Sequence, residues 1–144
     1  MKVSLPSRVH RPGTLMVLVT GGRCFVEEFP IHDALDRIEA LCDAAPRRLE
    51  LAVLQGGAAG ADRIAREWAW HNNIRIITER ADWTRLGKAA GPLRNQRMID
   101  KYQPDICLAF PSDPIGPGTA DTMQRCRAAA IPVFAYVDGE SDGR

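Results

Sequence analysis

The sequence predicts an α/β fold: a Rossmann-like three-layer α/β/α sandwich built on a five-stranded, mostly parallel sheet. Three observations carry that prediction. Short apolar runs alternate with amphipathic stretches of about 10–15 residues, the pattern of βαβ units. Several of those runs are apolar throughout, as in strands buried on both faces. The chain has 144 residues, which suits one domain and suffices for a core without covalent staples.

Each element can be read in order. Leu15–Thr20 (LMVLVT) is the first strand and stops at Gly21-Gly22. Ile31, Ala34, Leu35, Ile38, Leu41 and Cys42 recur at helical spacing, so a helix covers 31–44. Leu49–Leu54 (LELAVL) is the second strand and stops at Gly56-Gly57. Ala61, Ile64, Ala65, Trp68 and Ala69 form the apolar stripe of a second helix. Ile74–Thr78 (IRIIT) is the third strand. A third helix runs from Ala90 to Tyr102, with Pro92 tolerated near its first turn. Asp105–Phe110 (DICLAF) is the fourth strand, Thr119–Ala130 the fourth helix, and Pro132–Val137 (PVFAYV) the fifth strand. Right-handed crossovers and analogy with doubly wound folds favour the strand order 3-2-1-4-5. Residues 1–14 read as a flexible arm, 15–137 as the single domain, and 138–144 as a polar tail.

Composition narrows the function classes. Hydrophobic residues make up 45% and charged residues 26%, ordinary for a soluble globular chain and wrong for a disordered one. Lysine and arginine total 19 against 18 aspartates and glutamates, so the net charge is +1. A protein devoted to duplex nucleic acid favours a strongly basic surface instead. No apolar run is long enough to span a membrane, and the first fourteen residues lack the apolar core of a signal peptide. The expected location is the cytoplasm. Cys24, Cys42, Cys107 and Cys126 show no C-x-x-C spacing and are expected to be reduced, structural thiols. His10, His32 and His71 are scattered, so no metal site is expected.

Ligands of this fold class bind at the carboxyl ends of the strands, near the point where strand order reverses. The residues just after each strand are therefore the candidates. After the first strand stand Gly21, Gly22 and Arg23. After the second come Gly56, Gly57 and Gly60, then Asp62. After the third come Asp82, Trp83 and Lys88, leading to Arg94 and Asn95 in the first turn of the next helix. After the fourth come Gly116, Gly118 and Thr119. Glycines let backbone N–H groups approach a ligand closely. Helix starts offer free donors and partial positive charge to a phosphate, and an arginine fork grips phosphate or carboxylate. The same glycines also read as tight turns or close helix–strand packing, and Asp62 as an acid placed for a helix dipole. Trp83 reads equally as a stacking platform or as the edge of the core.

From Arg80 to Lys101 six basic residues stand against Asp82 and Asp100. Of these, Arg97 and Lys101 are expected on the surface. Asn95 shares a helical face with Met98, Ile99 and Tyr102 and is expected to turn inward, where an amide needs partners. Trp70 falls off the apolar stripe of the second helix and is a candidate contact surface. The chain holds no G-x-x-x-x-G-K-[ST], and no G-x-G-x-x-G opens the first helix. The P-loop and standard dinucleotide-dehydrogenase readings therefore fail.

The strings VLVTGGR, GGAAGADRIAREWA, ADWTRLGKAAGPLRN and GPGTADTMQRCRAAAIPVF, in this order, resemble the YspA-like branch of the SLOG (SMF/DprA–Lonely Guy) superfamily. The likeness runs from about Leu15 to Val137. It implies a Rossmann-like fold that binds a nucleotide or nucleotide-derived ligand. By position it implies a pocket lined by Gly21, Gly22, Arg23, Gly56, Gly57, Gly60, Asp62, Arg94, Asn95, Gly118 and Thr119. It also implies a homo-oligomer, with a dimer favoured.

Three departures stand out. The Lonely Guy phosphoribohydrolases carry G-x-G-T-x-x-E, whose glutamate assists glycosidic cleavage. Here Thr122 occupies that place, and neighbouring Asp121 is rotated by about 100° around the helix. The segment from Phe110 to Gly118 is longer than the P-G-G-x-G-T turn of those enzymes. Gln55 and Ala59 stand where relatives often carry His and Arg, which removes two polar handles.

Three functional readings result. The first is binding or sensing of a phosphate-bearing ligand such as a nucleoside monophosphate, ADP-ribose or an NAD-derived molecule, with no cofactor required. The second is hydrolysis of an N-glycosidic or phosphoribosyl bond, with Asp62, Asp82 or Asp121 as the catalytic carboxylate. The third is single-stranded nucleic-acid binding through Trp83 and the basic segment.

Overall fold

The computed structural model describes residues 1–137, so the segment 138–144 read as a polar tail lies outside the described residues. Five strands form one sheet in the order β3-β2-β1-β4-β5. They are β1 (Thr14–Gly21), β2 (Glu50–Gln55), β3 (Arg75–Thr78), β4 (Ile106–Phe110) and β5 (Val133–Ala135). All four pairings are parallel, with Val17 opposite both Val53 and Ile106. Around the sheet lie α1 (Glu28–Ala44), α2 (Ala61–His71), α3 (Trp83–Leu86), α4 (Ala90–Tyr102) and α5 (Pro117–Ala128).

Strand residues point alternately to the two faces, and the core divides accordingly. Leu15, Val17 and Val19 of β1 pack on the first face with Ile31, Leu35 and Ile38 of α1 and with Ala61, Ala65 and Trp68 of α2. Met16 and Leu18 point the other way, toward Met98 and Ile99 of α4 and Cys126 of α5. The three layers follow from this division. The order reverses between β1 and β4, so the carboxyl ends of those two strands form the crevice where this architecture takes ligands.

Two expectations change. Residues 79–89, read as a connection, contain α3 and a 3₁₀ turn at Gly87–Ala89. Asp82 starts α3 by accepting the Arg85 N–H at 3.2 Å, a capping role that the apolar pattern does not reveal. The segment expected as a flexible arm instead lies against the domain. Met1 is buried in the core, and Val3, Leu5 and Val9 pack on it. Pro6, Pro12 and Gly13 interrupt any regular element there, yet its apolar residues reach the core of the first face. Among the described residues no helix is long and apolar enough to cross a membrane.

Asp105 fastens this segment. Its buried carboxylate accepts the N–H groups of His10 and Met16, each at 2.7 Å. Replacing it by alanine leaves both donors without their acceptor. Asp105→Ala should cost about 3 kcal/mol in urea unfolding, and a loss below about 1 kcal/mol would contradict this fastening role.

Candidate functional site

The crevice is a cavity of about 670 Å³ at the carboxyl ends of β1 and β4. Its walls are set by close backbone approaches. Gly22 N–H donates to the Phe110 carbonyl at 3.1 Å, and Ala61 N–H donates to the Gly22 carbonyl at 3.2 Å. Gly60 has φ +73°, and a Cβ there would collide with the Gly22 carbonyl. Glycine is thus required at the start of α2 by both conformation and space.

The second loop curls around Asp62. One carboxylate oxygen accepts the N–H groups of Gly56 (3.0 Å) and Ala58 (3.2 Å). Burial pushes the Asp62 carboxyl above its ordinary value, against these hydrogen bonds and the nearby Arg94 and Arg66. Gln55 braces the same loop from below. It donates to Thr78 Oγ1 and accepts from Gly57 N–H and Arg66.

Arg94 crosses from α4 to this loop. Its Nη1 donates to the carbonyls of Gly56 (2.7 Å) and Glu79 (3.3 Å), and its Nε donates to Asn95 Oδ1 (2.9 Å). Burial lowers the Arg94 pKa, Asp62 opposes that shift, and Arg23 adds to it. Asn95 is buried and donates to Asp121 Oδ2 at 2.9 Å. Arg125 donates to the same oxygen at 2.8 Å. Burial works to raise the Asp121 carboxyl, yet the hydrogen bonds from Arg125 and Asn95 hold it below its ordinary value.

The far wall is the start of α5. No side chain caps this helix, and Pro117 sits in its first turn. A Cβ at Gly116 or Gly118 would meet nothing within 4 Å. Arg23 and Lys88 complete the rim, and neither forms an ion pair among the described residues. The Arg23 guanidinium lies 5.7 Å from the centre of the Trp83 ring.

Residues 15–86 match the model of the YspA, cpYpsA-related SLOG family. The chain is also 39% identical over 128 residues to the gene 61 protein of Mycobacterium phage D29, covering 85% of this chain and 96% of that protein. It belongs to this SLOG family. Among solved structures it resembles DNA processing protein A (DprA) from Streptococcus pneumoniae, with TM-score 0.65 and 18% identity over 90% of this chain. The SLOG chain spans 53% of that protein's length. It also resembles TM1055, with TM-score 0.58 and 14% identity over 83% of this chain and 72% of that one. At these identities the two structures speak for the fold alone.

In this SLOG protein the cavity gathers Gly21, Gly22, Arg23, Gly56, Asp62, Trp83, Lys88, Arg94, Asn95, Gly116, Gly118, Thr119 and Asp121. Gly57 and Gly60 lie outside the lining, because they shape the second loop instead of facing the space. Asp82 also lies outside it, turned to Arg85 in an exposed ion pair at 3.0 Å. Gln55 proves to be a buried brace. Arg97, expected on the surface, is only partly exposed and pairs with Glu79. Sequence reasoning did not place Ser112 on the cavity, since no glycine or charge pattern marks it as a rim residue, whereas Thr122, in the place of the Lonely Guy glutamate, does line it. Among the described residues no cluster could hold a metal ion, and all four cysteines are free, with Cys24 exposed.

The two kinds of rim glycine should respond oppositely to an added methyl. A Cβ at Gly56 would meet the Arg94 guanidinium and push it off the Gly56 carbonyl, so Gly56→Ala should cost about 1–3 kcal/mol. Gly118→Ala enters open space in a helix and should be stabilising by about 0.5 kcal/mol. Urea unfolding of the two variants would show opposite signs. The Asp121 carboxyl binds protons less readily folded than unfolded, so its contribution is complete above the ordinary carboxylate range and fades as pH falls through its lowered value. The stability gap between the wild type and Asp121→Asn should therefore be constant above about pH 5 and shrink toward pH 3. A gap that widens on acidification would contradict the assignment.

Proposed function

We propose that the protein binds a nucleotide or nucleotide-derived phosphate ligand in this cavity. The observation that carries the reading is the charge of the rim. Arg23, Lys88 and Arg94 face one space, and none forms an ion pair within 4 Å among the described residues. The uncapped start of α5 adds backbone donors and partial positive charge beside them. An anion of phosphate type would complement the charge of all of these groups. The cavity volume of about 670 Å³ is ample for a nucleoside monophosphate and lies within the usual range for small-molecule sites. ADP-ribose and NAD-derived molecules belong to the same class. No cofactor is needed for binding, and the protein is proposed to act in the cytoplasm as a homo-oligomer, with the exposed Trp70 at a contact.

A second reading, hydrolysis at a glycosidic or phosphoribosyl bond, is favoured by one observation. Asp121 lines the cavity with its carboxyl held below its ordinary value, as an ionised group near a developing positive charge would need. Release of free base, abolished in Asp121→Asn, would establish it. Single-stranded nucleic acid is the less favoured ligand. Its binders stack successive bases on several aromatic rings, and Trp83 is the one aromatic residue on this cavity among the described residues.

Calorimetry with nucleoside 5′-monophosphates, ADP-ribose and NAD tests the binding reading. A ligand at a hundredfold excess over its Kd should stabilise the fold by about 2.7 kcal/mol. Lys88→Ala should weaken that ligand roughly tenfold while leaving stability within about 0.5 kcal/mol. A flat response to the whole panel would overturn the reading.

A further inference from the structure

Arg23 stands on the β1–α1 connection and Trp83 opens α3, so their contact joins two separately anchored walls across the cavity mouth. Arg23 has no ion pair among the described residues, and its positive charge rests on the ring face at 5.7 Å. Trp83 is about half exposed, and its ring tip lies so close to Gly91 that a Cβ there would come within 2.9 Å. The ring is therefore backed on one edge and covered by a cation on a face. Arg23 also acts on Arg94, lowering its proton affinity, so two like charges look into one space.

We propose that Arg23 and Trp83 form a latch that a nucleotide opens by exchange. The base takes the Trp83 face, and the displaced guanidinium turns to the phosphate between itself and Arg94. The latch rests on the nucleotide reading of the cavity. A cation over an exposed ring is a weak contact, whereas a guanidinium–phosphate pair is a charge-assisted one. A base stacks on the ring that the arginine leaves. The latch thereby selects ligands that carry both a planar base and a phosphate, since either part alone breaks the contact and replaces only half of it.

The test compares three probes by calorimetry: the nucleoside 5′-monophosphate that binds most tightly of the four common ones, its nucleoside, and ribose 5-phosphate. Trp83→Leu should weaken the monophosphate roughly tenfold through lost stacking. The same change should tighten ribose 5-phosphate by about twofold to fivefold, because Arg23 no longer has a ring to leave. Arg23→Ala gives the mirror result, weakening ribose 5-phosphate and tightening the nucleoside. It also serves if Trp83→Leu folds poorly. Loss in every probe for both variants would overturn the latch and leave nucleotide binding intact, the two residues then being independent contacts. No binding of any monophosphate to the wild type would overturn the nucleotide reading and the latch together.

Discussion

The carboxyl rim of the sheet depends on the guanidinium of Arg94. It ties the loop after β2, through the Gly56 carbonyl, to the end of β3, through the Glu79 carbonyl, and both to α4, which carries it. Hydrogen bonds from a charged donor are worth about 1.5–3 kcal/mol each, enough to fix three elements that meet here through loops. Arg94 also orients Asn95, which reaches Asp121 on α5. One chain of polar contacts therefore runs from β2 to α5 around the cavity. No buried side-chain polar atom among the described residues lacks a partner, so this network is complete without a ligand.

That completeness separates scaffold from surface. Asp62 and Gln55 are committed to backbone and side-chain partners, and their job is to shape the second loop. Arg23 and Lys88 make no such commitments and lie toward solvent. The rim thus joins a fixed inner framework to long outer cations. On the proposed binding reading, the preorganised inner groups lower the cost of ordering the ligand, and the exposed cations are the part that would adapt to its phosphate.

Much of this is legible in the sequence. The apolar runs between turn signals locate all five strands, most clearly β1, β2 and β4, which are buried on both faces. Strand ends then locate the rim, and the YspA-like motifs agree with it. The single turn of α3 is not legible, because it hides no apolar face. Nor can the sequence separate glycines that border space, such as Gly118, from those that permit close packing, such as Gly60, because that difference lies in tertiary neighbours. Asp82 reads as a candidate acid for the same reason: its turn toward Arg85 is a fact of the folded chain. The segment 1–13 reads as an arm because two prolines and a glycine interrupt it, although Met1, Val3, Leu5 and Val9 all meet the core.

The position of Thr122 bears on the choice between binding and cleavage. Its hydroxyl donates to the Gly118 carbonyl one turn back, at 3.1 Å, so it is occupied by the helix and offers the cavity no carboxylate. Asp121 does face the cavity, but Asn95 and Arg125 both direct their donors at its Oδ2. Those contacts steady the charge and also make the carboxylate a weaker base, since they favour its ionised form. A carboxylate so held suits electrostatic recognition of a ligand better than proton abstraction from water.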